Sequence, residues 1–228
     1  MKREDLVRLN ALRAERRASV YVADLEQGGG RLIAEGEVVE DSLGAAVRTA
    51  FLSGKSNQVE IDGKRLFLNV QVPPPRIVAI GAVHITQALA PMAAIAGFDV
   101  SVIDPRTAFA APERFEGVDL VADWPEDVLE ARPLDAYTAL IAVTHDPKID
   151  DYPIAAGLRA GCFYVGALGS RKTHAKRVER LMALGLTEEQ IAGIDAPIGL
   201  DIGAISPAEI AVSVLGALIH AFRRRAIR

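Results

Sequence analysis

Four short segments of this chain gather residue types suited to holding a polar, anionic ligand. Gly81-Ala82-Val83-His84 follows the β-branched run Ile77–Ile80 and leads into an alanine-rich stretch. A glycine turn at that place exposes backbone N–H groups to a phosphate at a helix N-terminus. Thr144-His145-Asp146 sets a hydroxyl, an imidazole and a carboxylate after another apolar run. Gly166-Ala167-Leu168-Gly169-Ser170-Arg171-Lys172 combines two turn glycines, a helix-capping serine and two cations, which suits a phosphate or pterin-phosphate. Gly199-Leu200-Asp201-Ile202-Gly203 brackets one carboxylate able to accept from the amino groups of a heterocycle.

Each segment also has a plainer reading. A dinucleotide-binding turn carries glycine at the positions of Gly81, Val83 and Thr86, and only the first is glycine here. Val83 puts a branched side chain where a pyrophosphate would approach. Asp104 ends the next strand, about 20 residues on, where a ribose-binding acid belongs, and Arg106 follows it. The first turn is therefore an altered phosphate grip or a turn that only packs. Strand adjacency would bring His145 and Asp146 near His84, a set suited to hydrogen bonding or proton handling more than to a metal. Gly169–Lys172 also reads as a plain capped helix start, and Asp201 as a turn-forming residue. Cys162 opens a strand, where a buried structural thiol is the default.

The elements that must position these residues alternate after Pro73-Pro74-Pro75, a stiff linker. Strands are expected at 77–80, 99–103, 118–122, 138–143 and 162–165. Helices are expected at 85–96, 127–130, 154–160, 171–184 and 207–224, with a short one after Thr187. Pro91 should kink the first of these or leave a carbonyl unpaired. Ser206, Pro207 and Glu209 form a capping box for the last. Strand–helix alternation predicts a Rossmann-like α/β domain over 76–228, a parallel sheet with helices on both faces. Residues 1–72 read as a small α+β domain, with Asp62-Gly63 as a hairpin turn.

Half of the 228 residues are hydrophobic and the net charge is -4, so nothing attracts nucleic acid in general. The local clusters Arg13/Arg16/Arg17 and Arg223–Arg225 read as solvated helix faces. No apolar run reaches the ~18 residues of a membrane span. The N-terminus lacks the apolar core of a secretory signal, and one cysteine excludes an internal disulfide. The expected compartment is the cytoplasm.

The blocks GALGSRKTHAKR (166–177), THDPKIDD (144–151), APIGLDIGAISPAEIAVS (196–213) and IVAIGAVHITQALA (77–90) resemble the signature blocks of the XdhC/CoxI family. The resemblance runs from Arg76 to about Arg223, roughly two thirds of the chain. It implies a non-catalytic accessory protein that binds the molybdenum cofactor of the molybdopterin type. Such a protein holds the cofactor while a cysteine desulfurase installs the terminal sulfur. It then passes the cofactor to an apo xanthine dehydrogenase-like hydroxylase. On that reading Arg171 and Lys172 meet the phosphate, and Asp104, His145 and Asp201 meet the pterin. Family members commonly carry an SGGC block near the N-terminus; residues 1–72 have Gly28-Gly29-Gly30 but no cysteine, as in a shortened N-terminal domain. The residues alone leave two other readings open: an NAD(P)- or FAD-dependent oxidoreductase, and a non-catalytic interaction or sensory module. The apolar final helix is either a homodimer surface or a cover for the sheet.

Overall fold

The computed structural model describes residues 1–225; residues 226–228, the end of the expected second domain, lie outside the described residues. The chain divides into two compact units, one built on Met1–Pro73 and the other on Pro74–Phe222.

The first unit is an antiparallel sheet with two helices. Its strands are β1 (Ser19–Asp24), β2 (Gly30–Ala34), β3 (Asn57–Ile61) and β4 (Lys64–Gln71), in spatial order β2-β1-β4-β3. Asp62 and Gly63, both at positive φ, make the tight turn that sets Ile61 opposite Lys64. Helix α1 (Arg3–Ala14) buries Leu9 and Leu12 against Tyr21, Leu32 and Ala34. Helix α2 (Asp41–Ser53) buries Val47, Ala50 and Phe51.

The second unit contains six parallel strands: β5 (Arg76–Ile80), β6 (Asp99–Ile103), β7 (Asp119–Val121), β8 (Thr138–Ala142), β9 (Tyr164–Ala167) and β10 (Ile194–Asp195). Their order is β10-β9-β8-β5-β6-β7, so the chain leaves β5 in one direction for β6 and later returns beside it as β8. This is the doubly wound arrangement, with its crossing point between β5 and β8. Alternate residues of the central strands feed two cores. Ile77, Ala79, Ala139 and Ile141 meet Leu89 and Ala93 of α3 (His84–Ile95) and Val214 and Leu218 of α8 (Pro207–Arg224) on one face. Val78, Ile80, Leu140 and Ala142 meet α4 (Pro125–Ala131), α5 (Pro147–Ala160), α6 (Arg171–Ala183) and α7 (Glu188–Ile191) on the other. Helices thus cover both faces, as the strand–helix alternation implies.

Helix α8 spends its apolar stripe on the sheet. Ala211, Val214, Ala217 and Leu218 are buried there, and Phe222 packs edge-on against Phe98 and Phe163. These residues act as the expected cover for the sheet, while Val212 and Ile219 on the same helix stay exposed. Glu209 accepts from the backbone of Ser206 at 2.9 Å while the Ser206 hydroxyl accepts from Glu209 N–H, so the capping box forms.

Three elements differ from the sequence expectation. Strand β10 pairs with β9 through only two residues, too short for any periodicity to announce it. Strand β9 is set two residues later than expected. Helix α5 begins at Pro147, well before Ile154: Asp146 caps it by accepting from Lys148 N–H, and Pro147 takes the first position, where a missing N–H costs nothing. Pro153 sits inside that helix and imitates a boundary. Helix α3 likewise continues past Pro91.

Candidate functional site

The turn after β5 is closed by the protein's own side chains. Gly81 has φ of 119°, and a Cβ there would stand 2.9 Å from the Thr144 methyl, so the approach of the β8 end demands glycine. Fully buried Asp104 accepts from Ala82 N–H at 2.8 Å and from Arg106 through its backbone N–H, Nε and Nη2. Arg106 also lies over the Phe109 ring, 4.2 Å from its centroid. Burial pushes the Asp104 carboxyl up, but the Arg106 and Ala82 hydrogen bonds outweigh this and hold it below the usual carboxylate range. The Ala82 carbonyl accepts from Arg114, and the Gly81 carbonyl accepts from the Thr86 hydroxyl at 2.7 Å. Thr86 therefore fastens helix to strand where a dinucleotide-binding turn has glycine. Ala82 is buried, Val83 half-buried as the residue capping α3, and His84 exposed.

A cavity of about 330 Å³ lies at the carboxyl ends of β8 and β9 instead. Its wall from the β8–α5 side consists of His145, Pro147, Asp150 and Asp151, and from α6 of Lys172, Thr173, Lys176, Arg177 and Arg180. Spacing on the helix explains the second set: Lys172, Lys176 and Arg180 recur every four residues and share one face. Ser170 caps α6, its hydroxyl accepting from Thr173 N–H at 3.2 Å. Gly169, at φ of 137°, makes the turn that leads in.

The β8–α5 loop is organised by Asp150. One carboxylate oxygen accepts from the Thr144 hydroxyl at 2.7 Å and the other from His145 N–H at 3.1 Å. Thr144 in turn accepts from Asp146 N–H. These bonds hold His145 at φ of 66°, an uncommon conformation for a residue with a Cβ. Burial pushes the Asp150 carboxyl up to about 6, against the lowering effect of those hydrogen bonds and of the Arg177 charge. Across the cavity Arg180 grips Asp151 with both ends of its fork.

Arg177 is only 2 % exposed. Its Nη2 donates to the Leu168 carbonyl at 2.9 Å, while its Nε and Nη1, equally buried, have no hydrogen-bond partner among the described residues. Burial lowers its pKa against the opposing pull of Asp150 and Asp151. A carboxyl pushed up facing a guanidinium pushed down is the signature of two desolvated charges not in direct contact.

Of the residues singled out from sequence, the structure brings His145 and Lys172 together in this cavity. Thr144 and Asp146 support its loop, and Gly169 and Ser170 its helix. Gly166 lies buried in β9, and Arg171 is exposed beside the cavity but not part of its wall. Gly81, Ala82, Val83, His84, Asp104 and Arg106 form the separate closed turn. Asp201 is exposed in the loop before α8, also outside the cavity wall. Asp195 organises that loop's start, accepting from Tyr164 and from Gly199 N–H. Among the described residues no group of three or more His, Cys, Asp or Glu is placed to hold a metal. Cys162 is free, and burial pushes its thiol up to about 12, away from reactivity. Asp150, Lys176 and Arg177 line the cavity without having been singled out from sequence. The four-residue spacing of cations on α6 points to Lys176 and the paired acids at 150–151 to Asp150, while nothing local points to Arg177.

Fold and cavity together define a doubly wound α/β domain with a cation-walled crevice at the carboxyl edge of its sheet. The family model described as the XdhC Rossmann domain matches residues 77–218, and the chain belongs to that family. YqeB of Escherichia coli, itself uncharacterised, is 32% identical over 68% of this chain and 29% of its own length. A Bacillus subtilis protein named as a probable xanthine dehydrogenase component is 32% identical over 71% of this chain and 47% of its own length. The molybdenum cofactor insertion chaperone PaoD of E. coli is 31% identical over 63% of this chain and 39% of its own length. The chain thus spans under half the length of each of these relatives. A solved structure described as a xanthine dehydrogenase from Bacillus halodurans shares the fold, with TM-score 0.64 and 22% identity, over 98% of this chain and 65% of that one. No helix among the described residues is long and apolar enough to cross a membrane.

Proposed function

We propose that this chain is a molybdenum-cofactor accessory protein of the cytoplasm. It holds a molybdopterin-type cofactor at the edge cavity, shields it and releases it to an apo xanthine dehydrogenase-like hydroxylase, a cysteine desulfurase supplying the terminal sulfur while it is held. The observation that carries this reading is the cavity itself. Three of its cations (Lys172, Lys176 and Arg177) have no carboxylate partner among the described residues, and it lies within the domain that defines the family. The names of the B. subtilis protein and of PaoD point the same way.

The donor set suits the ligand. A phosphorylated pterin needs cations for its phosphate and a mixture of acceptors and donors for its heterocycle. Lys172, Lys176 and Arg177 would hold the first, and the exposed His145 imidazole would meet the second. At about 330 Å³ the cavity is at the small end of ligand sites, fitted to one end of such a molecule with the rest reaching outward. The molybdenum supplies its redox chemistry only in the recipient enzyme; this chain's residues bind, orient and exclude water. An NAD(P)- or FAD-dependent oxidoreductase fits less well, because Asp104 has both oxygens engaged and the Ala82 N–H is already donated.

Isolated molybdopterin cofactor mixed with the protein under anaerobic conditions is expected to co-elute with it on gel filtration. Cofactor emerging wholly in the small-molecule fraction, with the protein folded, would overturn the reading.

A further inference from the structure

The buried donors of Arg177 carry more than a generally positive cavity does. A guanidinium has five N–H donors in a planar fork and cannot shed its charge in a protein. Leaving two of its nitrogens without partners in a place water scarcely reaches is costly, and native structures do so seldom. The nearest carboxylate does not relieve them. Asp150 directs its two oxygens at Thr144 and His145 N–H, and Asp151 is taken by Arg180. The Leu168 carbonyl, bonded to Nη2, fixes the guanidinium in its plane at the β9–α6 turn. Nη2 shares one edge of the guanidinium with Nε and the other with Nη1, so its second N–H and one unpartnered nitrogen together form an edge that grips two oxygens of a phosphate. Lys172 and Lys176, both exposed and on flexible stems, flank the same cavity.

We infer that Arg177 anchors a tetrahedral-oxyanion subsite, taking two oxygens of a terminal phosphate monoester on the second N–H of Nη2 and an unpartnered nitrogen beside it, while Lys172 and Lys176 close over the third. For the identity of the natural ligand this rests on the accessory-protein reading above, with the cofactor's phosphate as that monoester. For the oxyanion chemistry it rests on the geometry alone. The subsite also distinguishes roles on α6. Arg180 is a structural cation fastened to α5, whereas Arg177 and the two lysines face the ligand.

The test uses the full chain and inorganic phosphate as probe, followed by arginine-selective ¹H–¹⁵N NMR. The Nε–H resonance of Arg177, identified by its disappearance in Arg177→Lys, is expected to move saturably as phosphate is added. By calorimetry Arg177→Lys should weaken phosphate binding about tenfold, the effect of losing one charge-assisted fork. Lys176→Ala, an exposed substitution that leaves the core untouched, should weaken it by about threefold. An Arg177 signal that stays fixed through the titration would overturn the subsite, and so would unchanged affinity in a folded Arg177→Lys protein. If phosphate shifts Arg177 as stated but cofactor is not retained on gel filtration, the subsite stands and the accessory reading falls. If cofactor is retained while phosphate leaves Arg177 unmoved, the reverse holds.

Discussion

Asp104 and Asp150 are both buried carboxylates of the second unit, and their surroundings push them in opposite directions. Around Asp104 four N–H donors, three of them from Arg106, outweigh desolvation and hold the group ionised. Around Asp150 desolvation wins, and the carboxyl titrates at about 6. The sign for stability follows. Asp104 binds its proton less readily folded than unfolded, so its contribution is full above the ordinary value of 3.8 and is lost as pH falls through the depressed one. Asp104→Asn is expected to lower stability at neutral pH by about 2–3 kcal/mol, since it leaves Arg106 and Ala82 donors facing an amide. Urea denaturation repeated from pH 7 downward should show the gap between variant and parent narrowing in acid. A gap independent of pH would mean that the charge of Asp104 is not what holds the turn. Asp150 works the other way: its raised value means that it favours the folded state below 3.8 and that this support is lost as pH rises through about 6.

Among the elements, the turns differ more from expectation than the strands and helices do. The central strands are legible because runs such as Ile77–Ile80 are buried on both faces and so are continuously apolar. The capped helices are legible because Ser170, Thr187 and Ser206 announce themselves locally. What the sequence does not show is where a turn's polar groups are spent. Gly81 invites a phosphate on spacing, yet the turn's donor goes to Asp104, from the far end of β6. Arg177 sits inside a charged helical stretch and reads as one more solvated cation, until α5 packs across it. Both facts are long-range, and neither leaves a local pattern. Gly81→Ala puts the demand of the turn to a direct test. A Cβ 2.9 Å from Thr144, on backbone at φ of 119°, should cost about 2–4 kcal/mol. It should appear as a lower urea midpoint with an unchanged slope. A midpoint equal to the parent's would show that the β5 and β8 ends have room to part.

For the molecule as a whole, the proposed binding site lies one strand away from where the fold's usual habit would put it. The crossing point between β5 and β8 is where doubly wound sheets commonly hold nucleotides. Here its first turn is locked by Asp104, Thr86 and Arg114. The open crevice lies beyond β8, between the start of α5 and the flank of α6. Backbone hydrogen exchange on the chain with and without bound molybdopterin cofactor separates the two locations directly. New protection is expected over residues 144–151 and 170–180, with 81–86 and 104–106 unchanged. Protection confined to 81–86 and 104–106, with the α5 and α6 segments exchanging as before, would contradict binding at the crevice.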